Sequence, residues 1–287
     1  MATWSNTILY HEDWTVKLQE RLDKPTTWKE VCKVEYTDTR VLNNPYLTDA
    51  VVQTTARNAA YTHQNVTVTI DTITIDAIGI LPQAMDRADL SQSTYMRQME
   101  MAERQGTLID EFLESKMLAE HAQWTDFDNA SIGGGAGNIT VSSTNIDDII
   151  RGIKREINEA NGQNMAARNG IFIVWRAADF ELLEQFMQAN GFTTADNALK
   201  NGAKSGVDFM GVTHYASNSH TSGHVFAGVK KAFHLGIVKG TWGQTYIDEE
   251  PATADGAVSA VAVITRVDYK FKAWTKQVPV LFDVLVA

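Results

Sequence analysis

A single cysteine in 287 residues, Cys32, is too few for an internal disulfide or a multi-cysteine zinc site and suits a reducing compartment. Basic side chains are also in short supply. Against 35 Asp and Glu there are 25 Lys and Arg, and the formal net charge of -10 disfavours a dedicated DNA or RNA binder, which needs a basic face to release counterions. The longest mostly apolar stretch, Ala257 to Ile264, falls far short of the roughly 20 residues that cross a bilayer, so no membrane partner is expected. Met1 to Trp14 has no cationic region and meets His11, Glu12 and Asp13 before any apolar run, and is not read as a signal peptide. What remains is an ordinary globular composition, 44% hydrophobic, 21% charged and 9% aromatic, which excludes disorder, collagen and a coiled-coil rod. For a mass of 31.8 kDa, surface scaling lets roughly three-quarters of the chain's surface be buried. One composite domain fits this length as readily as two.

Chemical motifs are equally scarce. The glycines at 133, 134, 135 and 137 lead into a strand-like stretch, Asn138 to Val141, instead of opening a helix, so they make no dinucleotide fingerprint. Gly206 and Gly211 have P-loop spacing, but Val212 stands where lysine is required. Ser205 is out of phase with Gly202 and Gly206 for a nucleophile elbow. The zincin-like start at His11 and Glu12 is broken by Thr15, and Asp126 and Asp128 lack the glycine and terminal glutamate of a calcium loop. His214, His220, His224 and His234 cluster in sequence. A 220/224 pair at spacing four ligates a metal only on a helix, whereas Ser219, Thr221, Ser222 and Gly223 favour a loop, and no carboxylate or cysteine lies between Ser217 and His234. The sequence therefore points to no catalytic residue, no cofactor and no metal. An enzyme whose residues are scattered along the chain stays open as an alternative, because triads need not be local.

Periodicity supplies the architecture. Glu12 to Leu22 is a short amphipathic candidate stopped before Pro25, in an arm with little core of its own. Val66, Val68, Ile70 and then Ile73 and Ile75 alternate with polar residues as strands do, and Ala50 to Thr54 offers a partner strand across a polar tip, Arg57 to Gln64. A two-stranded excursion results. Thr94 to Trp124 switches to helical spacing, and about 30 residues at 1.5 Å each give a helix about 45 Å long. Its acidic side chains (Glu100, Glu103, Asp110, Glu111, Glu114, Glu120) read as a solvated face, or as a surface for a basic neighbour. Next comes a helix signposted by Thr144 as N-cap, Asp147 three residues on, apolar Ile146, Ile149, Ile150, Ile153 and Ile157, and Gly162 as its stop. A buried strand, Ile171 to Trp175, a helix from about Ala178 to Ala189, and further strands in Phe209 to Tyr215, Val225 to Leu235, Ala260 to Trp274 and Val278 to Val286 complete a mixed α+β order.

This layout resembles the major capsid protein of tailed bacteriophages, the Hong Kong 97 type fold. Ala84 to Gln92 resembles the run before that family's spine helix, Gln105 to Leu118 its amphipathic stretch, and Ile146 to Leu183 its helix, turn and strand leading into the axial domain. Phe209 to Asn218 and Val225 to Gly236 resemble segments that follow. The resemblance implies an N-terminal arm over 1–35, an extended loop with flanking strands over 36–82, a peripheral domain over 83–139 and 261–287 with a spine helix about 94–122, and an axial domain over 140–260. It implies a non-enzymatic shell protein that self-assembles into hexamers and pentamers. The shell encloses double-stranded DNA without reading its sequence, has possible scaffolding, portal and decoration partners, and belongs to the virion after assembly in the host cytoplasm. The inter-subunit contact candidates are Val66, Val68, Ile70, Ile73 and Ile75. A cellular nanocompartment shell of the same fold and a soluble α+β hydrolase-like enzyme are the alternatives. Physics asks for assembly independently, since a two-stranded hairpin is marginal alone and its open edges invite another chain.

Overall fold

In the computed structural model, residues 24, 26–86, 97–190, 206–241, 244–248 and 260–287 are described. The arm helix expected at Glu12 to Leu22, residues 94–96 of the expected spine helix, and Ser205 lie outside them. The chain first forms a single-turn helix α1 (Trp28–Val31), strand β1 (Lys33–Thr37), the hairpin pair β2 (Val41–Leu47) and β3 (Val68–Thr74), and β4 (Ala77–Asp86). The long helix α2 (Arg97–Ala119) follows. Its 23 residues make it about 35 Å long. A separate 3-10 turn, His121–Gln123, takes up part of what periodicity assigned to it.

Strand β5 (Thr125–Phe127) leads to helix α3 (Ile146–Glu159), helix α4 (Gln163–Asn169), strand β6 (Ile171–Trp175) and helix α5 (Ala177–Ala189). The isoleucine stripe of α3 is fully buried, at 0–1% exposure for all five residues, which is why this helix is legible from spacing alone. The cap is displaced by one residue. Asn145, not Thr144, is the N-cap, and its side chain braces the preceding loop by accepting from Ser142 N (2.8 Å) and donating to Thr140 O (2.9 Å). Gly152 sits on the buried face because a Cβ there would stand 2.7 Å from the Phe127 ring.

The remaining strands are β7 (Val207–Phe209), β8 (Val212–Ala216), β9 (His224–Val229), β10 (Phe233–Val238), β11 (Gln244–Asp248), β12 (Ala260–Ala273) and β13 (Leu281–Leu285). Met210 and Gly211, with φ of 52° and 73°, join β7 to β8 in a two-residue turn with both central residues left-handed, the geometry that matches strand twist. Two sheets result. One has six strands in the order β5-β13-β9-β6-β8-β7. In the other, the long β12 pairs with β4 along one edge and with β11 and then β10 along the other, and β1 lies parallel beside β10.

A continuous core runs from Trp28 and Val31 through Leu113 and Met117 of α2, the α3 isoleucines, Phe172 and Phe226 of the six-stranded sheet, and Phe233 and Phe271 of the other. Trp28, Val31 and Cys32, within the expected 1–35 arm, are buried in this core. The cause lies on α2. Glu111 and Glu114, expected on a solvated face, are buried and hold the chain's incoming segment. The Glu114 carboxylate accepts from Thr27 N (2.8 Å), Trp28 N (2.9 Å) and Thr27 Oγ1 (2.7 Å), and Glu111 accepts from Lys24 N (2.9 Å). Helix α1, whose N-cap Thr27 makes no side-chain cap bond of its own, is thus capped by a carboxylate from a distant helix.

Candidate assembly surface

The hairpin β2–β3 is antiparallel, with Val41 opposite Thr74 and Leu47 opposite Val68. Its partner strand is 41–47, not the expected 50–54. Beyond a last backbone bond, Thr48 N to Thr67 O (2.9 Å), residues 49–66 still run side by side, but amide side chains replace the ladder. Gln53 donates to Thr62 O (2.9 Å) and accepts from Thr62 N (3.1 Å), while Gln64 accepts from Val51 N (2.8 Å) and donates to Val51 O (2.7 Å). Each glutamine stands in for one backbone pair, so the excursion reaches further than its ladder.

The five contact candidates divide by parity. Side chains alternate across a strand, so Val66, Val68 and Ile70 lie on one face and Asp71, Ile73 and Ile75 on the other. Val66, Val68 and Ile70 are exposed at 65%, 56% and 61%, whereas Ile73 and Ile75 are buried at 1% and 2%. Ile73 and Ile75 pack within their own chain, in a small cluster with Trp274, Leu42 and Val238 that is separate from the main core. These two side chains root the hairpin and present nothing to a neighbour. The shift of phase between Ile70 and Ile73 is the sequence signal for this division.

Polar contacts fasten the same root. Asp71 accepts from Lys272 Nζ (2.7 Å), Thr275 N (2.8 Å) and Thr275 Oγ1 (2.9 Å), and Lys272 also donates to Thr72 O (2.7 Å). Burial alone would raise the Asp71 carboxyl, yet these donors outweigh it and leave its pKa below the ordinary value. Arg40 reaches Asp268 at 3.2 Å, and Lys270 reaches Asp76 at 3.0 Å. A rigid root thus carries an uncovered blade.

Among the residues whose side chains are described, the large hydrophobics left exposed all lie between positions 36 and 80: Tyr36, Val41, Leu47, Val51, Val52, Tyr61, Val66, Val68, Ile70, Ile78 and Ile80. Val52 reaches 92% exposure. Single exposed apolar side chains are normal, but here they concentrate in one segment, most of them on a hairpin with both outer edges open.

The histidines do other things. His214 is buried; Trp175 Nε1 donates to its Nδ1 (2.9 Å), so the ring's proton sits on Nε2 and faces Phe209 O (3.2 Å). Burial lowers its pKa to about 4, and burial also lowers that of His220 to about 4. His234 sits 3.5 Å from Glu35. His224 does not pair with His220; it meets His121 and Asp283, residues too far away in sequence for any spacing rule to find. The glycines at 133–137 follow a 3-10 turn, Asn129–Ile132, and open no helix.

No protein-family model matches the chain, and no curated protein matches its sequence. Its fold, however, is that of solved phage capsids. A chain from Mycobacterium phage Che8 superposes with a TM-score of 0.68 at 14% identity, over 97% of this chain and 98% of that one. A chain from the capsid of an empty GTA particle gives a TM-score of 0.69 at 11% identity, over 98% and 96% of the two chains. The asymmetric unit of the bacteriophage PhiM1 mature capsid gives 0.65 at 12% identity, over 97% and 92%. The chain thus shares the α+β phage capsid fold over 97–98% of its length.

Proposed function

We propose that this chain is the structural subunit of a virus-like shell: a major capsid protein that self-assembles into hexamers and pentamers and closes them into an icosahedral head around double-stranded DNA. One observation carries the reading. On a fold similar over nearly its whole length to phage and GTA capsid chains, the exposed large hydrophobics whose side chains are described are confined to the 36–80 segment.

A head-to-tail contact of a hairpin with a neighbour's body propagates into rings and closed shells. Many such contacts acting together make the shell firm even when each is modest. Within this reading, residues 36–82 are the extended loop, Val66, Val68 and Ile70 its contact residues, 140–260 the axial domain, and α2 with the final strands the peripheral domain. The net charge of -10 suits a container that encloses a polyanion without gripping it. The subunit performs no catalysis, works in the virion after assembly in the host cytoplasm, and meets scaffolding, portal or decoration proteins only as accessories to its contacts with itself.

The test is sedimentation velocity on the purified chain across a range of concentrations. Rings or shells are expected, and a single species of one chain's mass at every concentration and salt tried would overturn the proposal.

A further inference from the structure

We propose that His121, His224 and Asp283 form a binding site for a single divalent transition-metal ion, with Zn²⁺ the best fit, at the junction between the end of the long helix and the six-stranded sheet. Three separate segments converge there. His121 opens the 3-10 turn directly after α2, His224 is the first residue of β9, and Asp283 lies in the middle of β13. Because β13 pairs with β9 so that Leu285 is opposite His224, Asp283 stands on the diagonal two residues away, on the same face.

The donor atoms of all three lie within 4.8 Å of one another. His224 Nδ1 is 2.7 Å and His121 Nδ1 3.6 Å from the same oxygen, Asp283 Oδ2. Metal–ligand distances of about 2.0–2.2 Å around a tetrahedral zinc put its ligands about 3.4 Å apart, so the His121 contact is already at ligand spacing and the His224 contact has to open by less than an ångström. The two rings are stacked, 3.7 Å between centroids and 20° from parallel. They must turn about their Cβ–Cγ bonds to aim both lone pairs at one ion. Side-chain exposures of 29% and 24% leave room for that turn and for solvent to supply a fourth ligand.

A second, independent feature points to a ligand. The Asp283 side chain is 3% exposed, and its other oxygen, Oδ1, is buried with no hydrogen-bond partner among the described residues. A buried carboxylate oxygen left without a partner is costly, and a cation supplies what the surrounding protein does not. Asp126, register neighbour of Asp283 on β5, adds a second carboxylate and no competing cation. Two imidazoles and a carboxylate with an open fourth position suit zinc better than magnesium or calcium, which take oxygen ligands. A bound ion ties the turn after α2 to β9 and β13.

The experiment uses the full chain, stripped with a chelator, dialysed and titrated with ZnCl₂ by calorimetry near neutral pH, with Mg²⁺ as the control ion. One Zn²⁺ per chain is expected, with a thermal midpoint raised by about 5 °C at a hundredfold excess over Kd. Co²⁺ in place of Zn²⁺ should give the visible bands of a low-coordinate nitrogen and oxygen site. His121→Asn and His224→Asn should each cut the affinity at least tenfold, while His63→Asn, in the exposed hairpin tip, should leave it unchanged. If His224→Asn fails to fold, His121→Asn decides alone, because its ring is partly exposed. Absence of saturable Zn²⁺ binding, or affinity unchanged in His121→Asn, overturns the proposal. Neither result depends on whether shells form.

Discussion

Ile70 and Ile73 are three residues apart on one strand, yet replacing each with aspartate should produce different failures. Ile73 is 1% exposed among Ile75, Trp274, Leu42 and Val238. Removing a buried isoleucine forfeits about 1.5–3 kcal/mol of transfer free energy, and a carboxylate without a partner in the same cluster brings the total to about 3–5 kcal/mol. Because this cluster is separate from the main core, the cost falls on the hairpin root, and a two-stranded hairpin has no such reserve. Ile70 is 61% exposed, so Ile70→Asp should leave the isolated chain within about 0.5 kcal/mol of wild type. In the shell, the same charge would stand unpaired in a contact. Hydrogen exchange read by mass spectrometry, beside electron microscopy, separates the two. Ile73→Asp should lose protection over 41–47 and 68–75 with its helical circular dichroism intact; Ile70→Asp should keep full protection and fail to assemble. Equal loss of protection in both variants would refute the parity argument, and normal shells from Ile70→Asp would refute the assignment of the exposed face to a contact.

Three further outcomes follow from buried polar groups. Glu114→Ala leaves the donors at Thr27 and Trp28 without an acceptor and should cost about 3–5 kcal/mol by urea denaturation. Glu114→Gln should stay within about 1 kcal/mol of wild type, since one amide oxygen accepts from both backbone N–H groups and the Thr27 hydroxyl turns to accept from the amide nitrogen. Burial raises the Glu114 pKa above its ordinary 4.5 despite those donors; the fold favours the protonated form, so this group's contribution falls as pH rises through that raised value, and glutamine should remove that slope. His214 and His220 act in the opposite direction. With folded values of about 4 against 6.5, each gives stability that is present above pH 6.5 and lost as pH falls toward 4, about 3 kcal/mol apiece. Urea midpoints between pH 7 and pH 4 should therefore drop steeply, and a flat profile would contradict the burial of both rings.

The parts of the fold that repeat with a period were readable in the sequence. The α3 isoleucines at 146, 149, 150, 153 and 157 and the run Ile171 to Trp175 declare a helix face and a buried strand because burial imposes the period. What sequence could not supply were pairings across distance. Glu114 reads as one more surface acid until residues 27 and 28, 87 and 86 positions away, bring their donors to it. His121, His224 and Asp283 carry no common motif because three elements deliver one residue each. Strand propensity places the hairpin's partner at 50–54, where Gln53 and Gln64 bridge the two arms with side chains instead of a backbone ladder, while the ladder itself runs over 41–47. The buried fate of Ile73 was present as a change of phase after Ile70, which only counting parity reveals.

The central claim, that this chain builds a closed shell by covering its exposed hairpin with a neighbour, is tested most directly by electron microscopy of the purified full-length protein. The account predicts rings of five and six subunits and closed icosahedral particles, with residues 41–70 of each subunit lying over the body of the next. Particles no larger than one chain at every concentration and salt tried, or shells in which Val66, Val68 and Ile70 remain in solvent, would contradict it.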